Sequence, residues 1–79
     1  MIKKFKSFMP SSSSALDCGA GIGRVAKTVL KNLFKHVDLL EPSTKQIKEA
    51  RKYCPEARNF YHQGLQEFDY EQRYDAIWI

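Results

Sequence analysis

Ala15-Leu16-Asp17-Cys18-Gly19-Ala20-Gly21-Ile22-Gly23-Arg24 reads as the end of a strand, a tight turn and the start of a helix. Ala15 and Leu16 begin a brief strand that closes at Asp17 and Cys18, and three glycines at alternate positions then force the chain to reverse. From Gly23 onward Val25, Ala26, Val29, Leu30, Leu33 and Phe34 recur with the period of a helix that buries one face. Gly19 and Gly21 can take positive φ and bring bare backbone against a ligand, in a crevice also faced by the first amides of that helix.

Working outward from this turn, Val37 to Glu41 form a second strand, closed by Pro42, which cannot continue a paired central strand. Ser43, with Gln46 three residues on, is a capping-box opening for a helix through about Tyr53, with Ile47, Ala50 and Cys54 on its inward side. Pro55 stops it. Arg58 to His62 and Tyr74 to Ile79 read as third and fourth strands, rich in strand formers. Alternating strands and helices call for right-handed crossovers and a parallel sheet, so the fold class is α/β, with about four strands and crossover helices. Upstream, Ile2, Phe5 and Phe8 stand three apart and read as the end of a short amphipathic helix, stopped by Pro10 and a serine linker, Ser11 to Ser14. The expected division is thus 1–14, helix end and linker, and 15–79, the ligand-binding domain. Because the sequence ends on the apolar run Ile77-Trp78-Ile79, within a strand that would otherwise be a bare edge, the domain reads as incomplete and the fold as truncated.

At 79 residues, with 43% hydrophobic and 28% charged residues, the chain is an ordinary folded type at the low end of what can bury a core. Up to His36 it carries Lys3, Lys4, Lys6, Arg24, Lys27, Lys31 and Lys35 against Asp17, a net +6; the remainder holds six basic and eight acidic residues, a net −2. A basic front half can attract nucleic acid, but Arg24, Lys27, Lys31 and Lys35 recur opposite an apolar stripe, which favours a solvated helix face. Cys18 and Cys54 lie in no metal-binding or disulfide spacing and point to a reducing compartment, cytoplasmic or nuclear. The opening residues lack the apolar run of a signal peptide; they are acid-free and contain serine as transit peptides do, but use Lys where those prefer Arg. Nothing is long enough to span a membrane.

Glycine turns of this kind serve both dinucleotides and S-adenosylmethionine, and three residues bear on the choice. The dinucleotide fingerprint wants a small residue where Arg24 stands, so that helix and strand pack closely. Asp17, two residues before Gly19, suits a cationic ligand and would repel a pyrophosphate. Glu41 follows Gly19 by 22 residues, near the roughly 20-residue offset at which an acid takes ribose hydroxyls in either nucleotide class. The competing readings are that Asp17 only closes the loop, that Glu41 is a solvated strand-end charge and that Arg24 is one more exposed base. As a ligand group Arg24 would pair with the methionine carboxylate. Gly64-Leu65-Gln66-Glu67-Phe68 follows the third strand at the carboxyl end of the sheet, where Leu65 offers an apolar face and Gln66 amide donors to an adenine; the alternative is a simple Gly64 turn with Leu65 packed. His36 and His62 have no acid or nucleophile at a recognisable spacing and read as structural or solvated.

With those residues in place, the run Ala15 to Arg24 closely resembles the signature of the protein alpha-N-terminal methyltransferases. The likeness continues through Asp38, Glu41, Arg58-Asn59, Gly64-Leu65-Gln66 and Tyr74-Asp75 with Ile77-Trp78-Ile79. The resemblance implies a partial Rossmann-like methyltransferase fold, the cofactor S-adenosyl-L-methionine, and methylation of the free α-amine of protein substrates beginning Xaa-Pro-Lys. It also implies that Gly19 and Arg24 contact the cofactor, that Glu41, Pro42 and Ser43 line its ribose side, and that Leu65 and Gln66 hold the adenine. The family commonly has Asp, Ile and Thr where this chain has Glu41, Pro42 and Ser43, so the ribose contact is where the sequence departs most. In the family a cofactor-contacting Gln follows the Ile-Trp-Ile strand, and the general base and peptide-binding groups lie beyond it; no catalytic residue is expected within these 79 residues. A methyltransferase for RNA or a small molecule would share the same cofactor half, and a non-enzymatic basic binding module is the third reading, marked by steep salt dependence.

Overall fold

A computed structural model describes residues 2–5, 13–64 and 74–79. Four strands, β2 (Ser14–Cys18), β3 (His36–Leu40), β4 (Asn59–Tyr61) and β5 (Ala76–Trp78), form the expected parallel sheet, and a fifth, β1 (Ile2–Phe5), joins it antiparallel in the order β1-β5-β2-β3-β4. Asp17 pairs with Leu39 of β3 on one side and Trp78 of β5 on the other. The order therefore reverses at β2, and its carboxyl end, where the glycine turn begins, is the switch point at which open α/β sheets hold ligands.

Two crossovers step in one direction, β2 to β3 to β4, so right-handedness places both helical segments on one face. The first is π-helical over Ala26–Leu30 and becomes α1 (Lys31–Leu33); the second is α2 (Thr44–Tyr53). The π turn corrects the expected apolar stripe. A turn wider than 3.6 residues keeps positions four apart in line, so Ala26, Leu30 and Phe34 are buried while Val29 and Leu33 are 37% and 47% exposed. Lys31 N–H reaches back five residues to the Ala26 carbonyl. Thr28 Oγ1 donates to the Arg24 carbonyl at 2.7 Å and Asn32 Nδ2 to that of Thr28 at 2.9 Å, side chains serving carbonyls of the widened turn.

Strand alternation sorts the core into two faces. Ala15, Val37, Leu39 and Ala76 pack beneath Ala26, Leu30, Phe34, Ala50 and Cys54, and Leu16, Cys18, Leu40, Tyr74 and Ile77 cluster on the other side. Asp38 is 1% exposed, yet its carboxylate accepts from Arg58 Nε and Nη2 at 3.0 Å each, Asn59 Nδ2 at 3.2 Å and Tyr74 Oη at 2.6 Å. A buried charge with four donors is tolerated, and these four tie β4 and the approach to β5 onto β3.

The helix expected at the N-terminus is a strand. A stretch this short gains little as a helix, whereas the edge of β5 offers a ready row of backbone donors and acceptors, and Ile2, Lys4 and Phe5 pair with Trp78, Ile77 and Ala76. Phe8 lies outside the described residues. The same pairing corrects the bare-edge argument: β5 is flanked by β1 and β2, Ile77 is 2% exposed, and Trp78 packs partly buried against the helix-side core.

Candidate functional site

The glycine turn is latched to the end of β3. Gly19 and Ala20 N–H both donate to the Leu40 carbonyl, at 2.8 and 3.1 Å, and Gly21 N–H donates to Glu41 Oε1 at 2.7 Å. Gly19 and Gly21 have φ of +67 and +60 degrees, and a Cβ on either would meet nothing within 4 Å, so their outer side is open space. Gly23 is different: at φ +93 a Cβ would stand 3.1 Å from Cys54 Cβ and 3.2 Å from Leu39 Cδ1, making it the point of close packing between the turn and the core.

Glu41 joins the pieces. It is 7% exposed, its backbone N–H donates to the Tyr61 carbonyl at 2.9 Å, and its carboxylate accepts from Gly21 N–H through Oε1 and from Ser43 N–H at 2.9 Å through Oε2. Ser43 caps α2 as expected, accepting from Gln46 N–H at 3.3 Å. The reciprocal half of the capping box is taken by Glu41 instead of Gln46. Gln46 lines, with Ala20, Gly21, Ile22, Arg24 and Val25, an open cavity of about 390 Å³, within the ordinary range for small-molecule sites. Sequence reading missed Gln46 as a site residue; its place in the first turn of the helix behind the acid was the available signal.

Asp17 lies under the turn, 2% exposed. Its carboxylate takes the Ala26 backbone N–H, while Oδ2 has no hydrogen-bond partner among the described residues. Loss of hydration raises its pKa to about 6, opposed by the Ala26 bond, with the Glu41 charge pushing further upward. Cys18 and Cys54 are free, buried thiols pushed up to about 11 chiefly by burial, which leaves them unreactive. Among the described residues no group of three or more His, Cys, Asp or Glu could hold a metal ion, and no described helix is long and apolar enough to cross a membrane.

Of the residues singled out in the sequence, Gly19, Glu41, Pro42 and Ser43 meet at the carboxyl ends of β2 and β3, and Arg24 stands exposed on the cavity beside Gly21. Leu65 and Gln66 lie outside the described residues. The basic helix face is partly engaged locally: Lys27 Nζ donates to the Tyr53 carbonyl at 2.9 Å and lies 4.8 Å from that ring's centre, and Lys31 Nζ reaches the Lys35 carbonyl at 3.1 Å.

The family described as AdoMet dependent proline di-methyltransferase matches residues 1–79. The chain belongs to this family. It is 49% identical over 70 residues to the alpha N-terminal protein methyltransferase 1 of Dictyostelium discoideum, covering 82% of this chain and 26% of that protein. It is 44% identical over 73 residues to the human N-terminal Xaa-Pro-Lys N-methyltransferase 1, covering 86% and 33%. A solved structure from Leishmania major, a SAM-dependent methyltransferase, matches with TM-score 0.68 and 36% identity over 76% of this chain and 26% of that one. The chain thus spans about a quarter to a third of the length of these relatives. Family membership agrees with the resemblance carried by Ala15 to Arg24 and with the parallel sheet that the strand and helix pattern required.

Proposed function

We propose that this chain forms the S-adenosyl-L-methionine half of a methyltransferase acting on the α-amino group of protein substrates that begin Xaa-Pro-Lys. The observation that carries the cofactor reading is the buried Oδ2 of Asp17 beneath the glycine turn, which has no hydrogen-bond partner among the described residues. With one oxygen on the Ala26 N–H and the other without a donor, in a place with little water, such a carboxylate gains most from a cationic ligand, and repels a pyrophosphate. The acceptor class rests on the family and on the names its relatives carry.

When bound, the cofactor supplies an electrophilic methyl group on a sulfonium. The residues of this chain bind and orient. Asp17 offers an acceptor to the amino acid end, Arg24 a guanidinium to its carboxylate, and Glu41 with Pro42 and Ser43 a rigid wall on the ribose side; Leu65 and Gln66 are assigned to the adenine. Fixing these points holds the methyl group in one place, which is the larger part of what a protein contributes to such a transfer. The two free thiols support a cytoplasmic or nuclear setting.

Calorimetric titration tests the ligand: S-adenosylhomocysteine should bind and NAD should compete poorly, and equal or better binding of NAD would overturn the assignment. For the acceptor, the chain fused to the remaining part of the Dictyostelium relative should methylate a peptide beginning Xaa-Pro-Lys and leave its N-acetylated copy untouched. Mass spectrometry showing methyl groups on side chains alone would refute it.

A further inference from the structure

We propose that His62 is a positioning residue for the ribose end of the bound nucleoside, an inference that rests on the cofactor reading above. His62 follows β4 directly, and its Nε2 lies 2.9 Å from the Pro42 carbonyl oxygen and 3.1 Å from Thr44 Oγ1. A carbonyl only accepts, so Nε2 carries the proton and donates to it. Pro42 has no N–H, which leaves its carbonyl as that residue's sole backbone hydrogen-bonding group.

The consequence comes from one peptide plane. The Pro42 carbonyl and the Ser43 N–H belong to the same rigid unit and point in opposite directions. His62 holds the carbonyl end, and Glu41 Oε2 takes the N–H end at 2.9 Å. Glu41 Oε1 then takes Gly21 N–H at 2.7 Å. Imidazole, peptide plane, carboxylate and glycine turn therefore form one continuous chain of hydrogen bonds. Releasing the plane at His62 lets Ser43 N–H swing away from Oε2, and the carboxylate that should face the ribose hydroxyls loses its aim. Thr44, which shares the Nε2 proton, is secondary because it is not part of the plane.

The test compares S-adenosylhomocysteine with its 2′-deoxyribose analogue, titrated calorimetrically into the full chain, with thermal melting alongside as the control for folding. His62→Ala should weaken the ribonucleoside roughly 3- to 10-fold, the effect of one hydrogen bond, and leave the deoxy analogue nearly unchanged, so that discrimination between the two falls. His62→Gln, whose amide nitrogen reaches the position of Nε2, should restore the preference, and Thr44→Val should keep it within about twofold. Equal loss for both nucleosides, unchanged affinity in His62→Ala, or Thr44→Val matching His62→Ala would overturn the proposal. Should His62→Ala fail to fold, His62→Gln decides: a retained ribose preference supports the plane account and a lost one refutes it. A wild-type chain that bound neither nucleoside would instead overturn the cofactor assignment itself.

Discussion

Gly21 N–H and Glu41 Oε1 meet at 2.7 Å, joining the turn after β2 to the end of β3 across 20 residues. With Ser43 N–H on its other oxygen, the Glu41 carboxylate faces two backbone donors at once. Glu41→Gln can serve only one of them, because its amide nitrogen must confront the other N–H, and a buried unpaired donor costs about 1 to 3 kcal/mol. The variant should melt several degrees lower and bind S-adenosylhomocysteine more weakly. Thermal denaturation and calorimetry on the same preparation would check both, and an unchanged melting point would show that Glu41 does not brace the turn.

Asp17 should trade stability against binding. Its pKa is raised from 3.8 to about 6, so the folded state holds the proton more tightly than the unfolded chain does. The stability associated with this residue is therefore fully present below about pH 4, declines as pH rises toward 6 and is absent above it, a change on the order of 2 to 3 kcal/mol. Asp17→Asn, which keeps an acceptor for Ala26 N–H, should flatten that slope in denaturation curves measured from pH 4 to 7. Ligand affinity should move the opposite way in the wild type, weakening as pH falls below about 6 and the carboxylate protonates, and Asp17→Asn should bind weakly throughout. A pH-independent affinity in the wild type would remove Asp17 from the ligand.

Two glycines of the turn should fail differently. Both need positive φ, so any side chain strains the backbone by about 1 to 2 kcal/mol. At Gly23 an added methyl also meets Cys54 Cβ at 3.1 Å and Leu39 Cδ1 at 3.2 Å, and overpacking of that kind adds about 1 to 3 kcal/mol. Gly21 faces open space, so Gly21→Val should melt higher than Gly23→Ala yet lose S-adenosylhomocysteine binding, its side chain standing in the approach path. The reverse order of melting points would mean that the turn packs otherwise.

The parts legible in the sequence were those fixed by local chemistry. Three glycines at alternate positions and a serine three residues before Gln46 dictate a turn and a cap whatever surrounds them, and both are found. The Glu41 bridge was half legible: the offset from Gly19 marked the acid, but that it displaces Gln46 from the capping box depends on where β3 ends. The π turn was hidden because the residues that reveal it, Val29 and Leu33, are apolar and fit an ordinary helical stripe equally well. The spacing of Ile2, Phe5 and Phe8 suits a helix, yet Ile2–Phe5 is a strand because its partner, Trp78 to Ala76, lies at the far end of the sequence, and local spacing cannot report so distant a pairing.

That pairing gives the last prediction. β1 lies on the outer side of β5, and the strand it covers holds Ala76, Ile77 and Trp78. An apolar strand with an open row of backbone donors and acceptors recruits further strands, while lysines on an outer strand discourage them; Lys3 and Lys4 lie within β1. Deleting residues 1–5 should therefore uncover β5, wet Trp78 and promote association between chains. The expected result is red-shifted tryptophan emission, a lower melting temperature and concentration-dependent sedimentation, against a smaller tendency to associate in the intact chain. Replacing Lys3 and Lys4 by Val should leave the strand in place and raise association without the emission shift, since the edge would lose its charges while Trp78 stayed covered. If deletion left emission and sedimentation as they were, β1 would contribute nothing to the sheet, and the cover on β5 would have to come from elsewhere in the chain.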